Sequence, residues 1–468
     1  MKRQEHTTVP LSRLSRRHFL QLSGLALSGA AIAACAPVTQ APAAGSSGSS
    51  AAAPAGETVT LRLQNWFTEQ DMPTWQIGLD KVKELYPNIN TQLEYNDYGE
   101  TAVRILALAA AGDLPDLIMA SNEHTPILAC SELLMDLNPF IEKEPDVNPD
   151  DFAAGVSQGF HMWDHWWGFP YDHSTWGIFY NKNLFDEAGV PYPPSEGETP
   201  WTIEQFVEAA TKLTKPDGAQ WGAMYPQGQY LDSCFIYSAG GRNFDDDLRH
   251  CIIDSPETAA GLQAVVDFMH KDKIAPTPAE MAGAAVDYFA SGLVAMQIQG
   301  QWALQGMNAT VDFPFDIAYL PIIKEKRGVT GGSGFCISAS TSHPEEAWNW
   351  LKVYTSGDVL AEMVGRPGRG IPARWSATPA YLEAGGKAAH PSVFIEQLKW
   401  AFNDRSVVAF YEFIDSYNRN LAPAFENGEG DIAAALTTIQ EETNAAMEEK
   451  WSTCKLQIAG QDLRLCAV

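Results

Sequence analysis

Short runs of alternating apolar and polar residues recur along the chain, separated by longer stretches with helical spacing. Residues 58–64 (TVTLRLQ) alternate with period two, predict a first strand, and empty into Asn65, Trp66, Phe67 and Thr68. Residues 71–86 place Trp75, Leu79, Val82 and Leu85 on one helical face before Pro87, residues 89–95 alternate again, and 101–111 read as an alanine-rich helix stopped by Gly112. A turn at Gly112, Asp113 and Pro115 leads into the apolar run 117–119, with Ser121, Asn122, Glu123 and His124 just past its end. This β-α-β-α-β rhythm predicts a mostly parallel sheet with helices on both faces. Ligands of such sheets sit outside the carboxyl ends of the strands, where Asn65, Trp66, Ser121 and Asn122 fall.

A second body repeats the rhythm. Residues 201–214 open with Thr202, Glu204 and Gln205 in a capping arrangement and carry Ile203, Phe206, Val207, Ala210 and Leu213 down one face. Strands are predicted at 221–225, 294–299, 316–320 and 335–339, and helices at 257–270, ending at 288–292, and at 344–354. Gln227, Gly228, Gln229 and Tyr230 follow one strand, Gln301 and Trp302 another, and the glycine-rich turn Gly331, Gly332, Ser333, Gly334 precedes a third. The tail from Val393 reads as helical, broken at Gly428 and Gly430.

Between the bodies runs WDHWWGFPYDHSTWGIFYN, residues 163–181. Its first part crowds Trp163, Asp164, His165, Trp166, Trp167 and Tyr171, and its second, 176–180, reads as a buried strand. Pro170 fixes its own φ and pushes Phe169 toward extended geometry, so the segment is read as an interdomain hinge with a wet aromatic face. Further crossings are expected near Tyr319 and near Ser356.

Residues 1–35 read as an address. Arg16 and Arg17 with Phe19 and Leu20 precede an apolar run, 22–34, too short to be a comfortable transmembrane helix, as in twin-arginine export signals. Ile32, Ala33, Ala34 and Cys35 form a lipobox, which makes Cys35 the expected lipidation site. Residues 36–56 lack large apolar side chains beyond Val38 and read as a flexible tether.

The 468-residue chain carries a formal net charge of -27, and loss of the address makes it more acidic. Such a surface disfavours nucleic acid and is compatible with neutral or cationic ligands. With Cys35 assigned to lipid, Cys130, Cys234, Cys251, Cys336, Cys454 and Cys466 remain; fifteen pairings are open, and Cys234 with Cys251 and Cys454 with Cys466 are the locally cheapest. No metal-ligand spacing occurs, so neither a metal site nor a cofactor is expected. Asp245 to Asp247 either hold calcium or form an exposed acidic turn.

Several segments in one order, AAGDLPDLIM, LLMDLNPFIEK, WGFPYDHSTWGIFYNKNLFDEAGV, PWTIEQFVEAATKLT, YFASGLVAMQIQGQW, DIAYLPI, GGSGFCIS and HPEEAWNWLKVYTS, resemble the carbohydrate-type extracellular solute-binding proteins of ABC importers, the maltodextrin-binding kind. The resemblance covers nearly all of 57–450. It implies a two-lobed periplasmic-binding-protein-like α/β fold with three crossings and a ligand cleft, the lobes being 57–171 with 319–356 and 172–318 with 357–468. It also implies a stacking role for Trp302, a cleft aromatic at Tyr230 ahead of Gly240 and Gly241, first-lobe contacts from Asn65, Trp66 and Glu69, and an acidic contact from Asp172; Ser174 stands where some members have glutamate. A sugar or oligosaccharide ligand and a membrane-embedded ABC permease are the implied partners, with the protein a lipid-anchored, extracytoplasmic monomer that is not an enzyme.

Sugars present apolar C–H faces that pack on indole and hydroxyl edges that need planar polar partners. Trp66, Trp163, Trp176 and Trp302, with Tyr171, offer faces; Asn65, Asn122, Asp172, Gln301 and Arg369 offer edges, and Ser121 and Gly332 lie at strand ends. Core packing is the commoner role for any single tryptophan, Trp302 excepted because it follows a strand end at a glycine, and Arg366 and Arg369 are equally open to a surface loop. A membrane-anchored glycoside hydrolase is the alternative; it would need two carboxylates on one bond, with Glu69, Glu123, Asp164 and Asp172 as candidates. An adhesin would be expected to show repeats, and the body has none.

Overall fold

The computed structural model describes residues 57–69, 71–282, 287–458 and 461–462. The export signal 1–35, the tether 36–56, Cys35 and Cys466 lie outside the described residues.

Two sheets nucleate two lobes. In the first, β1 (Val59–Asn65), β2 (Ile89–Tyr95) and β3 (Leu117–Ser121) are connected through α1 (Met72–Leu85) and α2 (Thr101–Ala111), and α3 (Thr125–Cys130) follows. The two-residue β4 (Phe169–Pro170) is its edge strand. The second lobe is built from β5 (Trp176–Asn181), α4 (Ile203–Leu213), β6 (Trp221–Met224), α5 (Gln229–Ala239), α6 (Pro256–His270), β7 (Val294–Gly300) and β8 (Phe315–Ala318). The chain then returns to the first sheet as β9 (Ser333–Ile337), adds α7 (Pro344–Tyr354), and ends in the second lobe with α8 (Phe410–Asn427) and α9 (Ile432–Thr453). Sheet orders are β2-β1-β3-β9-β4 and β8-β5-β7-β6.

Local chemistry accounts for most boundaries. Pro73 sits in the first turn of α1, where its missing N–H leaves no helical bond unmade. Thr202 and Gln205 close a reciprocal capping box on α4. Gly428 ends α8 with φ 68°, and Gly430 follows at φ 107°, conformations that side-chain-bearing residues rarely adopt. The expected helix end at 288–292 is instead a turn, whose Asp287 side chain accepts from the Phe289 and Ala290 N–H groups.

The parallel expectation holds for β1 with β2 and β3, but β9 runs antiparallel to β3 and β5 antiparallel to both β7 and β8. The antiparallel strands are those by which the chain changes lobe, so their direction follows from the crossings rather than from any local pattern.

The wet aromatic face is also corrected. Trp166, Trp167, Tyr171 and Trp176 are all buried, and a small hairpin, His161–Met162 with His165–Trp166, folds the segment onto the first core. Trp163 and Asp164 make its turn in the left-handed region, at φ 56° and 64°. Core membership changes from Tyr171 to Trp176, from Val329 to Phe335, and between Val364 and Tyr381, where Ile371 packs on the second lobe while Ala373 and Ala377 still pack on the first. The latter two changes fall later than the crossings expected near Tyr319 and Ser356. Leu320 and Ile323 still pack on the second core, and Val359 to Val364 on the first.

Neither sequence-local cysteine pair forms. Cys454 is bonded to Cys130, 324 residues away, while Cys234, Cys251 and Cys336 are buried free thiols. Proximity along the chain misleads here because Cys234 lies inside α5 and Cys251 in an extended segment bridged to Phe244.

Candidate functional site

The register of the two sheets brings the strand ends together. Ser121 at the end of β3 pairs with Ser333 at the start of β9, and Gly300 at the end of β7 pairs with Trp176. Asp172 and Ser174, on the first crossing, reach across to Ser333 and Gly331: the Ser333 N–H donates to Asp172 Oδ1 at 2.7 Å and the Ser174 N–H to the Gly331 carbonyl at 2.8 Å. A Cβ on Gly332 would lie 2.2 Å from the Asp172 carbonyl oxygen, so this close approach of two crossings requires glycine.

Around this junction lies a cavity of about 480 Å³ lined by Trp66, Tyr98, Ser121, Tyr171, Asp172, Ser174, Trp176, Tyr230, Trp302, Gly332, Ser333, Arg369 and Arg405. Its aromatic walls are interlocked edge to face. Trp176 meets Trp302 at 5.0 Å and 78° and Tyr230 at 5.6 Å and 72°, and Trp66 meets Tyr98 at 5.1 Å and 86°. The Trp176 indole N–H is buried without a partner.

Two charge pairs frame the polar side. Arg369 Nε donates to Asp71 Oδ1 at 3.1 Å. Arg405, from the second lobe, donates to Glu123 Oε1 of the first at 2.6 Å, with side chains 12% and 2% exposed. The Tyr98 hydroxyl donates to the same Glu123 oxygen, and the Arg405 guanidinium lies 4.4 Å above the Tyr230 ring. Burial would raise the Glu123 pKa, but Arg405, His124 and Tyr98 outweigh it and hold the carboxylate below its ordinary range. Burial takes His124 down to about 4, and its Nδ1 accepts from the Ser121 N–H at 3.0 Å, so the neutral ring carries its proton on Nε2. Asp172 is pushed up to about 6 by burial, opposed by the Ser333 N–H and Arg369.

Of the residues singled out from sequence, Trp66, Ser121, Tyr171, Asp172, Tyr230, Trp302, Gly332 and Arg369 meet at this cavity. Trp176, offered as a ring face, lines it too, whereas Trp163 meets Trp451 edge to face instead, and four further candidates do not line it. Asn65 spends its side chain on backbone, donating to Leu63 O and accepting from the Phe67 N–H. Asn122 donates to Val156 O. Gln301 accepts from the Thr175 N–H at 3.0 Å and donates to His173 O at 3.2 Å, fixing the first crossing. Glu69 is exposed. A polar residue at a strand end is as well suited to satisfying the turn as to meeting a ligand. Sequence reasoning missed Tyr98 and Arg405; the latter follows Asn403 and Asp404 on a loop without periodicity, and a lone arginine there carries no pattern. The Asp245 carboxylate is engaged by the Arg249 and His250 N–H groups and the His250 ring, and Asp246 by Arg242.

The sequence profile of the bacterial extracellular solute-binding proteins matches residues 67–359. A maltotriose-binding protein of Pyrococcus abyssi is 23% identical over 300 residues, 62% of this chain and 62% of that protein. The chain spans less than two thirds of the length of the curated relatives it matches. Among solved structures, an ABC substrate-binding protein from Listeria monocytogenes in complex with cycloalternan has a TM-score of 0.77 at 22% identity, covering 84% of this chain and 99% of that one. UgpB from Mycobacterium tuberculosis in complex with glycerophosphocholine has a TM-score of 0.72 at 19% identity, covering 84% and 99%. At these identities the structural likeness is one of fold. The profile match, extending over more than half of the chain and through both sheets, shows that it belongs to the family of bacterial extracellular solute-binding proteins.

Proposed function

We propose that the protein is the substrate-binding component of an ABC import system, capturing a sugar or oligosaccharide outside the membrane and delivering it to the permease. The observation that carries this reading is the interlobe cavity of about 480 Å³, with three indoles and three phenols on its walls and few, directed polar groups. Its contacts are Trp66, Trp176, Trp302, Tyr171 and Tyr230 for ring faces, and Ser121, Asp172, Ser174, Arg369 and Arg405 for hydroxyl edges. Ligand binding shifts the equilibrium between open and closed lobes, and the closed form docks on the permease. The first lobe is 57–171 with the return segment from Ser333 to about Ala377; the rest of the body is the second. The reading as held at the membrane by a lipid on Cys35 after twin-arginine export rests on residues 1–35 alone, and the reading as a monomer on the family.

The family is one of binding proteins, and we read this member as non-catalytic. Asp172 is the one carboxylate that lines this interlobe cavity among the described residues, which fits a binding site better than a two-carboxylate hydrolase.

The test is thermal unfolding of the full chain against a panel of mono- and oligosaccharides, followed by chromatography of each sugar. A ligand of the native state raises the midpoint by mass action, and an intact sugar afterwards supports a receptor. Trp302→Ala should reduce the shift at a given ligand concentration; a cleaved sugar, or no shift with any saccharide, overturns the reading.

A further inference from the structure

A second cavity of about 690 Å³ adjoins the first and shares Tyr98, Trp176, Tyr230 and Arg405 with it. Its far wall is α8, which lines it from Phe410 to Glu426, a length of about 24 Å along the helix. The space is a groove laid along a helix, longer than a single ring needs.

Two kinds of group alternate on that wall. Phe410, Ile414 and Phe425 also pack on the second core, so they turn to the groove only what folding leaves over. Among them Tyr411, Asn418 and Glu426 recur at spacings of seven and eight, two helical turns, which sets polar groups on one face roughly 10–12 Å apart. Asn418 and Glu426 are exposed. The turn from β6 into α5 adds Gln227 and Gln229 to the lining. Gln229 is buried, donates from Nε2 to Ser233 Oγ at 2.8 Å, and leaves its Oε1 without a partner.

At the doorway between the cavities, Glu123 Oε2, Arg405 Nε and the Trp176 indole N–H are also buried without partners. A linkage between two sugar units has the atoms to meet them: a flanking hydroxyl donates to Glu123, and the bridging oxygen accepts from Arg405 or Trp176. A single ring held in the main cavity leaves this doorway unmatched. An apolar extension would pass it and leave Gln229 unpaired as well.

We infer that the ligand is an oligosaccharide that spans both cavities: one unit fills the main cavity, the linkage passes Glu123 and Arg405, and further units lie along α8 with hydroxyls on Gln229, Asn418 and Glu426. This rests on the sugar-binding reading above and decides what that reading leaves open, a single sugar or a chain, and which residues read the chain.

The test is calorimetric titration of the full chain with glucose, maltose, maltotriose and maltotetraose, with arabinose and its two- to four-unit chains, and with the phenyl glycoside of each single sugar. Within a series that binds, the three-unit sugar should bind at least about tenfold more tightly than the single unit, the effect expected of one or two added hydrogen bonds. Asn418→Ala combined with Glu426→Ala, both at exposed positions, should cut that gain to less than about threefold. The unliganded unfolding midpoint reports that this double variant folds. Equal affinity along a series that binds overturns the inference, as does a length gain that the double variant keeps, or a gain from the phenyl group with none from added units. If no sugar of either series binds in any form, the sugar reading itself falls, a result distinguishable from these.

Discussion

Cys130, at the end of α3, is bonded to Cys454, the first residue beyond α9, so that an element packed beside the first sheet is tied covalently to the last helix of the second lobe. The Lys455 N–H donates to the Cys130 carbonyl at 2.9 Å, and Trp451, one turn earlier, meets Trp163 of the first-lobe hairpin at 5.8 Å and 77°. This junction stands apart from the three crossings.

A bond closing a loop of 324 residues restricts the unfolded chain far more than the folded one. Cys454→Ser, or reduction of the wild type, should therefore lower stability by about 2–5 kcal/mol. Urea unfolding with and without reductant measures it, and an unchanged midpoint would mean that the non-covalent contacts of the junction hold it without the bond.

The Glu123–Arg405 pair is the charged contact across the cleft that lies deepest. Removing one partner leaves the other charge buried without compensation, so Glu123→Gln and Arg405→Met should each weaken ligand binding or native stability by about 3–5 kcal/mol. The double variant should cost less than the sum of the two. A double-mutant cycle on affinity and on unfolding gives the coupling, and strict additivity would show that the two residues do not act as a pair.

Stability should depend on pH through two buried groups of opposite sign. His173 has neither ring nitrogen hydrogen-bonded, and burial holds it down to about 3. The unfolded chain takes up that proton near pH 6.5, so stability falls as pH drops from there toward 3. Asp172, pushed up to about 6, keeps a proton that the unfolded chain releases above its ordinary pKa of 3.8, which stabilises the native state as pH falls through 6 toward 4. His173→Gln should thus flatten the acid-side loss, and Asp172→Asn should steepen it. Urea midpoints at about pH 7 and 4.5 decide the matter; parallel shifts at both would contradict it.

Legibility in the sequence followed the range of the interactions. β2, α2 and α7 match their expected bounds because apolar periodicity and terminal Gly or Pro are local signals. Trp302 and Tyr230 were legible through neighbours and resemblance, and they line the cavity. Asn65, Asn122 and Gln301 turn to backbone rather than to the cavity, and strand-end polar groups look alike in sequence whether they serve backbone or ligand. The Glu123–Arg405 contact was out of reach, since it joins residues 282 apart on two lobes. The Cys130–Cys454 bond failed for the same reason, distance along the chain being a poor guide to a partner brought near by tertiary folding.

One local pattern carries a testable consequence for binding. Trp302 follows Gly300 by two residues, and its indole folds back so closely that a Cβ on Gly300 would lie 2.2 Å from the ring. Gly300 also pairs with Trp176 across the β7–β5 ladder, which sets the 5.0 Å edge-to-face contact of the two indoles. The methyl group of Gly300→Ala must therefore displace Trp302 rather than the strand, since the ladder is anchored along β7 by Met296 to Gln299. If Trp302 supplies a ring face to the ligand as proposed, its displacement should weaken ligand binding by about 1–2 kcal/mol, or roughly five- to thirtyfold, with little change in the unliganded unfolding midpoint. Combined with Trp302→Ala, the glycine substitution should add almost nothing, because the ring it acts through is already gone. Titration by tryptophan fluorescence of the two single variants and the double variant checks this, and additive losses would show that Gly300 serves the cleft by another route.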